Sequence, residues 1–270
     1  MVDMATSRTY NRIGAALAVL FAISLPASAQ WFDYKHNGAP RNPDGTVNLN
    51  APAPKLPDGH PDLNGVWLGD NWQPKGRRPP LPGGRNVQTS KMLPAAQAEF
   101  DRRTATHMVD DPKVRCMPNG VPHAGTEPYP FEIIQTPDKT MILYEMYYLR
   151  RQIFTDGRKL PDNPLDFTPT WMGYSVGTWD KDEFVVHTQG FNNKVWPIDM
   201  NGHPSSDMLK VEERFRRVDF GHMDLNITID DAKTYEKPWT ENLRYTLLPD
   251  TDLLEFVCDI NPDPQHMTGK

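Results

Sequence analysis

Cysteine is nearly absent: Cys116 and Cys258 are the only two among 270 residues, and they lie far apart in the chain. They lack the close Cys-x-x-Cys spacing of a structural zinc site, and no H-x-H or H-E-x-x-H run is present to build one from histidine. Long apolar runs are equally scarce. The longest, from Ile13 to Leu25, falls short of the roughly 20 residues that cross a bilayer. Concentrated positive charge is missing too, since the formal net charge is -6 and no basic cluster occurs outside Arg214, Arg216 and Arg217. Those three read as a solvated strand face. A nucleic acid or an anionic membrane surface needs a dense basic face, so neither is expected as a partner.

What is present at the start of the chain is an export pattern. Arg8 and Arg12 precede the apolar run, and Ala27-Ser28-Ala29 closes it with small residues of the kind a signal peptidase reads. Residues 1 to 29 are expected to be a removed leader, with the mature protein starting at Gln30 and located in the periplasm or outside the cell. No cysteine lies near the cleavage site, which argues against a lipid anchor, and no membrane anchor is expected. In an oxidising compartment two cysteines are most simply joined, so Cys116 and Cys258 are expected to form one disulfide; two buried free thiols are the competing reading.

Proline is plentiful, with 27 residues, and it crowds the region from Trp31 to Pro82. Runs such as Asn42-Pro43-Asp44-Gly45 and Pro79-Pro80-Leu81-Pro82 break both helices and sheet ladders. Residues 30 to 92 therefore read as an extended arm with one short strand at Gly65 to Leu68 that joins the main domain. Trp31, Phe32, Tyr34, Trp67 and Trp72 are its expected apolar anchors. One helix is expected from Pro94 to Thr106, where Pro opens the first turn and alanines follow. The turn-rich stretch from Cys116 to Pro122 is expected to lack regular structure.

From Phe131 onward the pattern is β. Runs at Phe131 to Gln135, Met141 to Phe154, Tyr174 to Trp179, Phe184 to Gln189, Leu209 to Val218, Met223 to Ile229, Trp239 to Leu248 and Leu253 to Cys258 are separated mostly by short turns. Short turns join antiparallel neighbours. So many strands around one core must remove their edges, which predicts a mainly β, antiparallel up-and-down barrel over residues 93 to 270, with a β-sandwich as the alternative.

Alternation supplies the faces. Met223, Leu225, Ile227 and Ile229 alternate with polar residues, and Leu209, Val211, Glu213 and Phe215 alternate with Lys210, Glu212, Arg214 and Arg216. The polar side either meets solvent or lines a wet cavity. Gly173-Tyr174-Ser175-Val176-Gly177 matches a nucleophile elbow, but the residues after it predict a hairpin where the elbow needs a helix. His187 interrupts an apolar strand and is either a satisfied core residue or a general base. Glu145 in the run from Met141 to Leu149 needs a cationic partner, Arg150 or Arg151, whether its role is structural or proton transfer.

From Pro61 to about Asn261 the sequence resembles a family of exported bacterial proteins, mostly called hypothetical. The runs that carry the resemblance are Pro61-Asp62-Leu63-Asn64-Gly65-Val66-Trp67, Arg115-Cys116-Met117-Pro118, Ile153-Phe154-Thr155-Asp156-Gly157-Arg158, the glycine-flanked Ser175 motif, Glu213-Arg214-Phe215-Arg216-Arg217 and Asp219-Phe220-Gly221-His222-Met223. The resemblance implies export and transfers no catalytic residue. Gly65-Val66-Trp67 is also similar to the Gly-x-Trp start of lipocalin-like barrels.

The functional expectation is a barrel that holds a small hydrophobic or aromatic molecule and acts on it by acid–base chemistry, as a lyase, isomerase or hydrolase with no metal or organic cofactor. His187 is the expected base, Glu145 or Asp224 its partner or the acid, and Arg150 or Arg214 the stabiliser of negative charge. Tyr147, Trp171, Tyr174, Trp179 and Trp196 are the expected ligand walls. The alternative is a binding protein for an apolar ligand with no chemistry.

Overall fold

The structure, a computed structural model, describes residues 35–69, 86–194 and 197–258. The expected leader lies outside them, as do Trp31, Phe32, Tyr34, Trp72 and Trp196.

The chain is mainly β and closes a nine-strand barrel. Its strands are β1 (Gly65–Gly69), β3 (Phe131–Thr136), β4 (Lys139–Tyr144), β5 (Arg150–Phe154), β6 (Tyr174–Asp180), β7 (Glu183–Gln189), β8 (Lys210–Arg217), β9 (His222–Asp230) and β10 (Trp239–Leu247). They follow one another in that order, and β1 closes the ring by pairing with β10 through Trp67 and Leu247. A short β2 (Asn86–Gln88) continues the edge beside β10. Closure gives each of the nine barrel strands a neighbour on both sides, which removes the open edges that made a barrel or sandwich necessary.

Turn chemistry sets the neighbours. Asp180 pairs with Glu183 across a two-residue turn at Lys181-Asp182, and Thr136 pairs with Lys139 across Pro137-Asp138. Both are antiparallel hairpins, as expected. The expected meander fails at one seam: β5 and β6 run parallel through Ile153–Ser175 and Phe154–Val176, joined by a crossover over 155–173. A parallel pair requires such a long return, and the proline-rich crossover cannot itself be a strand.

Two further expectations are corrected. The run from Met141 to Phe154 is two strands, β4 and β5, split by a 3-10 turn at Met146–Tyr148 where Tyr147 and Tyr148 adopt left-handed φ of 59° and 49°. Leu253 to Cys258 forms no strand. The expected helix is present as α1 (Pro94–Ala105), and a short α2 (His123–Thr126) lies in the stretch following the turn-rich Cys116 to Pro122.

Strand parity fills the barrel. Val211, Phe215, Met223, Leu225, Ile227 and Ile229 point inward and are buried, while Lys210, Arg214, Arg216 and Asp224 point outward. The polar side therefore meets solvent. Gly177 permits close approach inside the barrel, because a Cβ there would lie 2.4 Å from the Phe184 ring.

The arm closes one end. Trp67 is fully buried and donates its indole N–H to Leu63 O at 3.0 Å, and the Arg217 guanidinium sits 5.0 Å over its ring. Arg217 donates to the carbonyl oxygens of Asp62, Asp219 and Phe220, and burial pushes its pKa down to about 10. Arg41 adds a bidentate pair with Asp250 at 2.7 and 3.0 Å.

Candidate functional site

The five residues expected to carry acid–base chemistry do not meet. His187 lies on the outer face of β7, its side chain 51% exposed, with Nδ1 3.8 Å from Glu212. Arg214 is on the outer face of β8, donating to Asp180 at 2.6 Å and Glu183 at 2.8 Å. Asp224, on β9, accepts from Arg216 at 2.7 Å and Arg244 at 2.5 Å. Arg150 is exposed on β5, and Glu145 sits in the turn after β4, where it accepts the Leu254 N–H at 2.9 Å. The physical reason is the two-residue period: these strand positions share the parity that the apolar core leaves outside. His187 does not open into a pocket with a carboxylate, so the expected catalytic set is withdrawn.

The expected aromatic walls scatter as well. Tyr147 donates its hydroxyl to Lys113 O at 3.1 Å, and burial pushes its pKa up to about 12. Tyr174 points outward, stacks on Phe167 at 4.3 Å and donates to Thr168 O. Trp171 is half-buried in the crossover. Of the four that are described, Trp179 borders a cavity.

That cavity, of about 480 Å³, lies between the arm and the end of the barrel formed by the β3–β4 tip and the ends of β5 and β6. Leu56, Pro57, Pro137 and Trp179 give it apolar walls, and Thr140 and Thr155 add hydroxyls. His60 stacks on Trp179 with ring centroids 4.6 Å apart and planes 3° from parallel. The arm presents His60 from a tight loop: Lys55 bridges Pro61, the Leu56 N–H donates to His60 O at 2.8 Å, and Asp58 accepts the His60 N–H at 3.0 Å. Gly59, at φ +90°, makes the turn possible. Sequence reasoning missed His60, since a lone histidine in a proline-rich arm carries no periodicity.

Inside the barrel, one buried cation and one buried carboxylate satisfy each other. Arg151 on β5 is 2% exposed and forms a bidentate pair with Glu213, donates from Nε to Ser175 Oγ at 3.0 Å and from Nη2 to Thr188 Oγ1 at 2.7 Å. Burial would lower the Arg151 pKa, but the Glu213 charge outweighs it and the net shift is upward. Ser175 is 1% exposed and leads into a hairpin, so the glycine-flanked serine is a packing element. The Arg151 partner is Glu213 and not Glu145. Glu213 was the visible clue, a carboxylate on the apolar side of β8.

The capping loop over 112–130 holds a second buried ionic cluster. His123 is fully buried, with Nε2 2.8 Å from Glu127 Oε1 and Nδ1 2.6 Å from Pro197 O. Lys113 Nζ also lies 3.5 Å from His123 Nε2. Lys113 Nζ and Asn119 Nδ2 also donate to Glu127 Oε1, at 2.9 and 3.0 Å. Burial alone would raise the Glu127 pKa; His123 and Lys113 together outweigh it and hold it at about 2. Because the folded value lies below the ordinary 4.5, the stabilisation is complete above pH 4.5 and is lost as pH falls toward 2. It amounts to about 3 kcal/mol. Urea unfolding between pH 7 and pH 3 should show this loss in the wild type, and Glu127→Gln should flatten that part of the profile; an unchanged profile in the variant refutes the assignment.

Cys116 and Cys258 are joined, with sulfurs 2.00 Å apart and Cα atoms 5.8 Å apart. That pairing fits an oxidising compartment. Among the described residues no helix is long and apolar enough to cross a membrane, and no cluster of three or more His, Cys, Asp or Glu could hold a metal.

No protein-family model and no curated protein matches this sequence. What the site does has to follow from its own geometry.

Proposed function

We propose that this is an exported small-molecule-binding barrel whose ligand is a flat apolar or aromatic molecule held under the arm. The observation that carries the reading is the cavity of about 480 Å³ with His60 stacked on Trp179 at its wall. A volume of that size suits a small organic ligand, and an indole face favours a flat one. The Thr140 and Thr155 hydroxyls offer the few polar contacts that fix orientation. Export rests on the basic, apolar and small-residue order of residues 8 to 29 together with the disulfide. The family of exported bacterial proteins resembled by the sequence belongs to the same reading. Binding takes precedence over chemistry at this cavity because none of the residues expected to be catalytic faces it.

The test uses N-phenyl-1-naphthylamine, a flat apolar fluorophore, with protein starting at residue 30. One saturable site is expected. His60→Ala and Trp179→Leu should each weaken it about tenfold or more, the loss of a stacked aromatic surface worth on the order of 1 kcal/mol beyond its buried area. Unchanged affinity in both folded variants, judged by circular dichroism, removes the reading.

A further inference from the structure

The cavity under the arm is one mouth of the barrel, and strand parity decides which side chains face it. Gln135 on β3 has the inward parity of Phe131 and Ile133, Thr140 on β4 that of Ile142 and Tyr144, and Trp179 on β6 that of Ser175 and Gly177. All three line the cavity. Gln135 and Thr140 are also direct partners across the β3–β4 ladder. Side chains directly opposed in an antiparallel pair stand about 4.5–5.5 Å apart at Cβ, so the two polar ends share one patch of the wall.

The polar atoms of that mouth divide into engaged and unengaged. Thr155 Oγ1 donates to Pro137 O at 3.2 Å and Thr136 Oγ1 to Lys139 O at 2.7 Å, so both of those hydroxyl protons are held. Gln135 Oε1 accepts the Leu63 N–H at 2.5 Å. A backbone N–H only donates, which settles which end of the Gln135 amide is oxygen, and among the described residues nothing accepts from its Nε2. Thr140 is 2% exposed, and among the described residues its hydroxyl has no hydrogen-bond partner. Buried polar groups are nearly always paired, and one left unpaired is costly. Two neighbouring donors on the cavity wall therefore call for one acceptor inside it.

Charge narrows the acceptor. Asp58 lines the cavity, and among the described residues no lysine or arginine does. Lys139, at the β3–β4 tip, donates to Gln152 at 3.1 Å and lies over the Phe154 ring. A ligand carboxylate would thus meet the Asp58 charge with no cation to offset it, whereas a neutral oxygen meets no such opposition. A carbonyl oxygen has two lone pairs and accepts two hydrogen bonds near the plane of its substituents, which a flat ligand shares with its ring.

We propose that the ligand of this cavity is a neutral aromatic carbonyl compound, an aryl ketone or aldehyde, whose oxygen accepts from Gln135 Nε2 and Thr140 Oγ1. The inference rests on the reading of the cavity as a ligand site and adds the chemical class that the site selects. Trp179, Leu56 and Pro137 offer the apolar surface for the aromatic body. Gln135 and Thr140 determine specificity, because a ligand of the same shape without the oxygen leaves both donors unpaired.

The probes are 2-acetylnaphthalene and 2-isopropenylnaphthalene, a pair matched in shape in which a CH2 group replaces the carbonyl oxygen. Each competes with N-phenyl-1-naphthylamine on the protein starting at residue 30. The ketone should displace the fluorophore at about tenfold lower concentration than the alkene, although the alkene is the more apolar. Thr140→Val removes the hydroxyl at constant shape, and Gln135→Glu keeps the acceptor for the Leu63 N–H while removing the Nε2 donor; each should reduce the preference severalfold. The outward-facing control His187→Gln should retain it. In the unaltered protein the infrared carbonyl stretch of bound 2-acetylnaphthalene should lie below its value in hexane, which needs no variant to fold. Equal displacement by the two probes, a stretch at the hexane value, or a preference that survives in both folded variants overturns the carbonyl assignment and leaves the cavity reading standing. Failure of the fluorophore itself to bind removes the cavity reading, and this inference with it.

Discussion

Arg151→Met should be among the most destabilising single substitutions in this chain, lowering unfolding free energy by about 3–5 kcal/mol, because it strands the Glu213 carboxylate inside the barrel. Glu213 is 3% exposed and loses both guanidinium bonds, while Ser175 and Thr188 lose a donor and keep only each other, at 2.9 Å. Tyr144 cannot replace the lost cation. It is buried on β4 and neutral, its pKa pushed up to about 12 by burial, with the nearby Arg151 charge opposing that rise. The pair itself is a different matter from its broken half. Taking both charges out of water costs nearly what their attraction returns, so Arg151→Met with Glu213→Leu should recover most of the loss. Urea unfolding of the two single variants and the double gives the coupling directly. Near-additive losses in that cycle would mean that the pair does not act as a unit.

The same pair shows what the sequence made legible. Apolar alternation in β8 and β9 predicted which residues face the core, and it placed Glu213 among them, so a buried carboxylate was visible before any fold was known. Its partner was not visible. Arg151 is 62 residues away, and Glu145, the nearer carboxylate, looked eligible only because Met141 to Phe154 read as one strand. The left-handed Tyr147 and Tyr148 break that run, and neither residue type announces such a backbone. Hairpin turns are local and were read correctly. The β5–β6 seam depends on a crossover with no pattern of its own, so its parallel sense was hidden. His187 failed for a related reason: Val185 shares its outward parity and is buried, so the start of the strand looked apolar on both faces. The Asp199–His203 contact sits in an irregular loop, which carries no periodicity to announce it.

Removing the disulfide should be the other large perturbation, and it should act unevenly. Cys116 and Cys258 are 142 residues apart. The chain-entropy model assigns a loop of that length roughly 5 kcal/mol, and measured bridges more often contribute about 2–4. Cys116→Ser with Cys258→Ser should fall in that measured range by urea unfolding. The local effect should be sharper than the global one, because residues 249–258 contain no strand or helix to hold them. Beyond the bridge, that segment is tied by Asp250 to Arg41, by the Leu254 N–H to Glu145, and by Phe256, which stands edge-on to Tyr129 at 5.3 Å and Tyr147 at 5.4 Å. Hydrogen exchange at Leu254 should therefore accelerate strongly in the reduced protein, while exchange at the paired amides of β9 and β10 should accelerate only in proportion to the loss of global stability. If Leu254 stays as protected as before, the aromatic wedge fastens the segment without the bridge. The bridge persists only where thiols are oxidised, so a segment that depends on it ties the integrity of the capping loop, and of the buried His123–Glu127 pair within it, to an oxidising compartment.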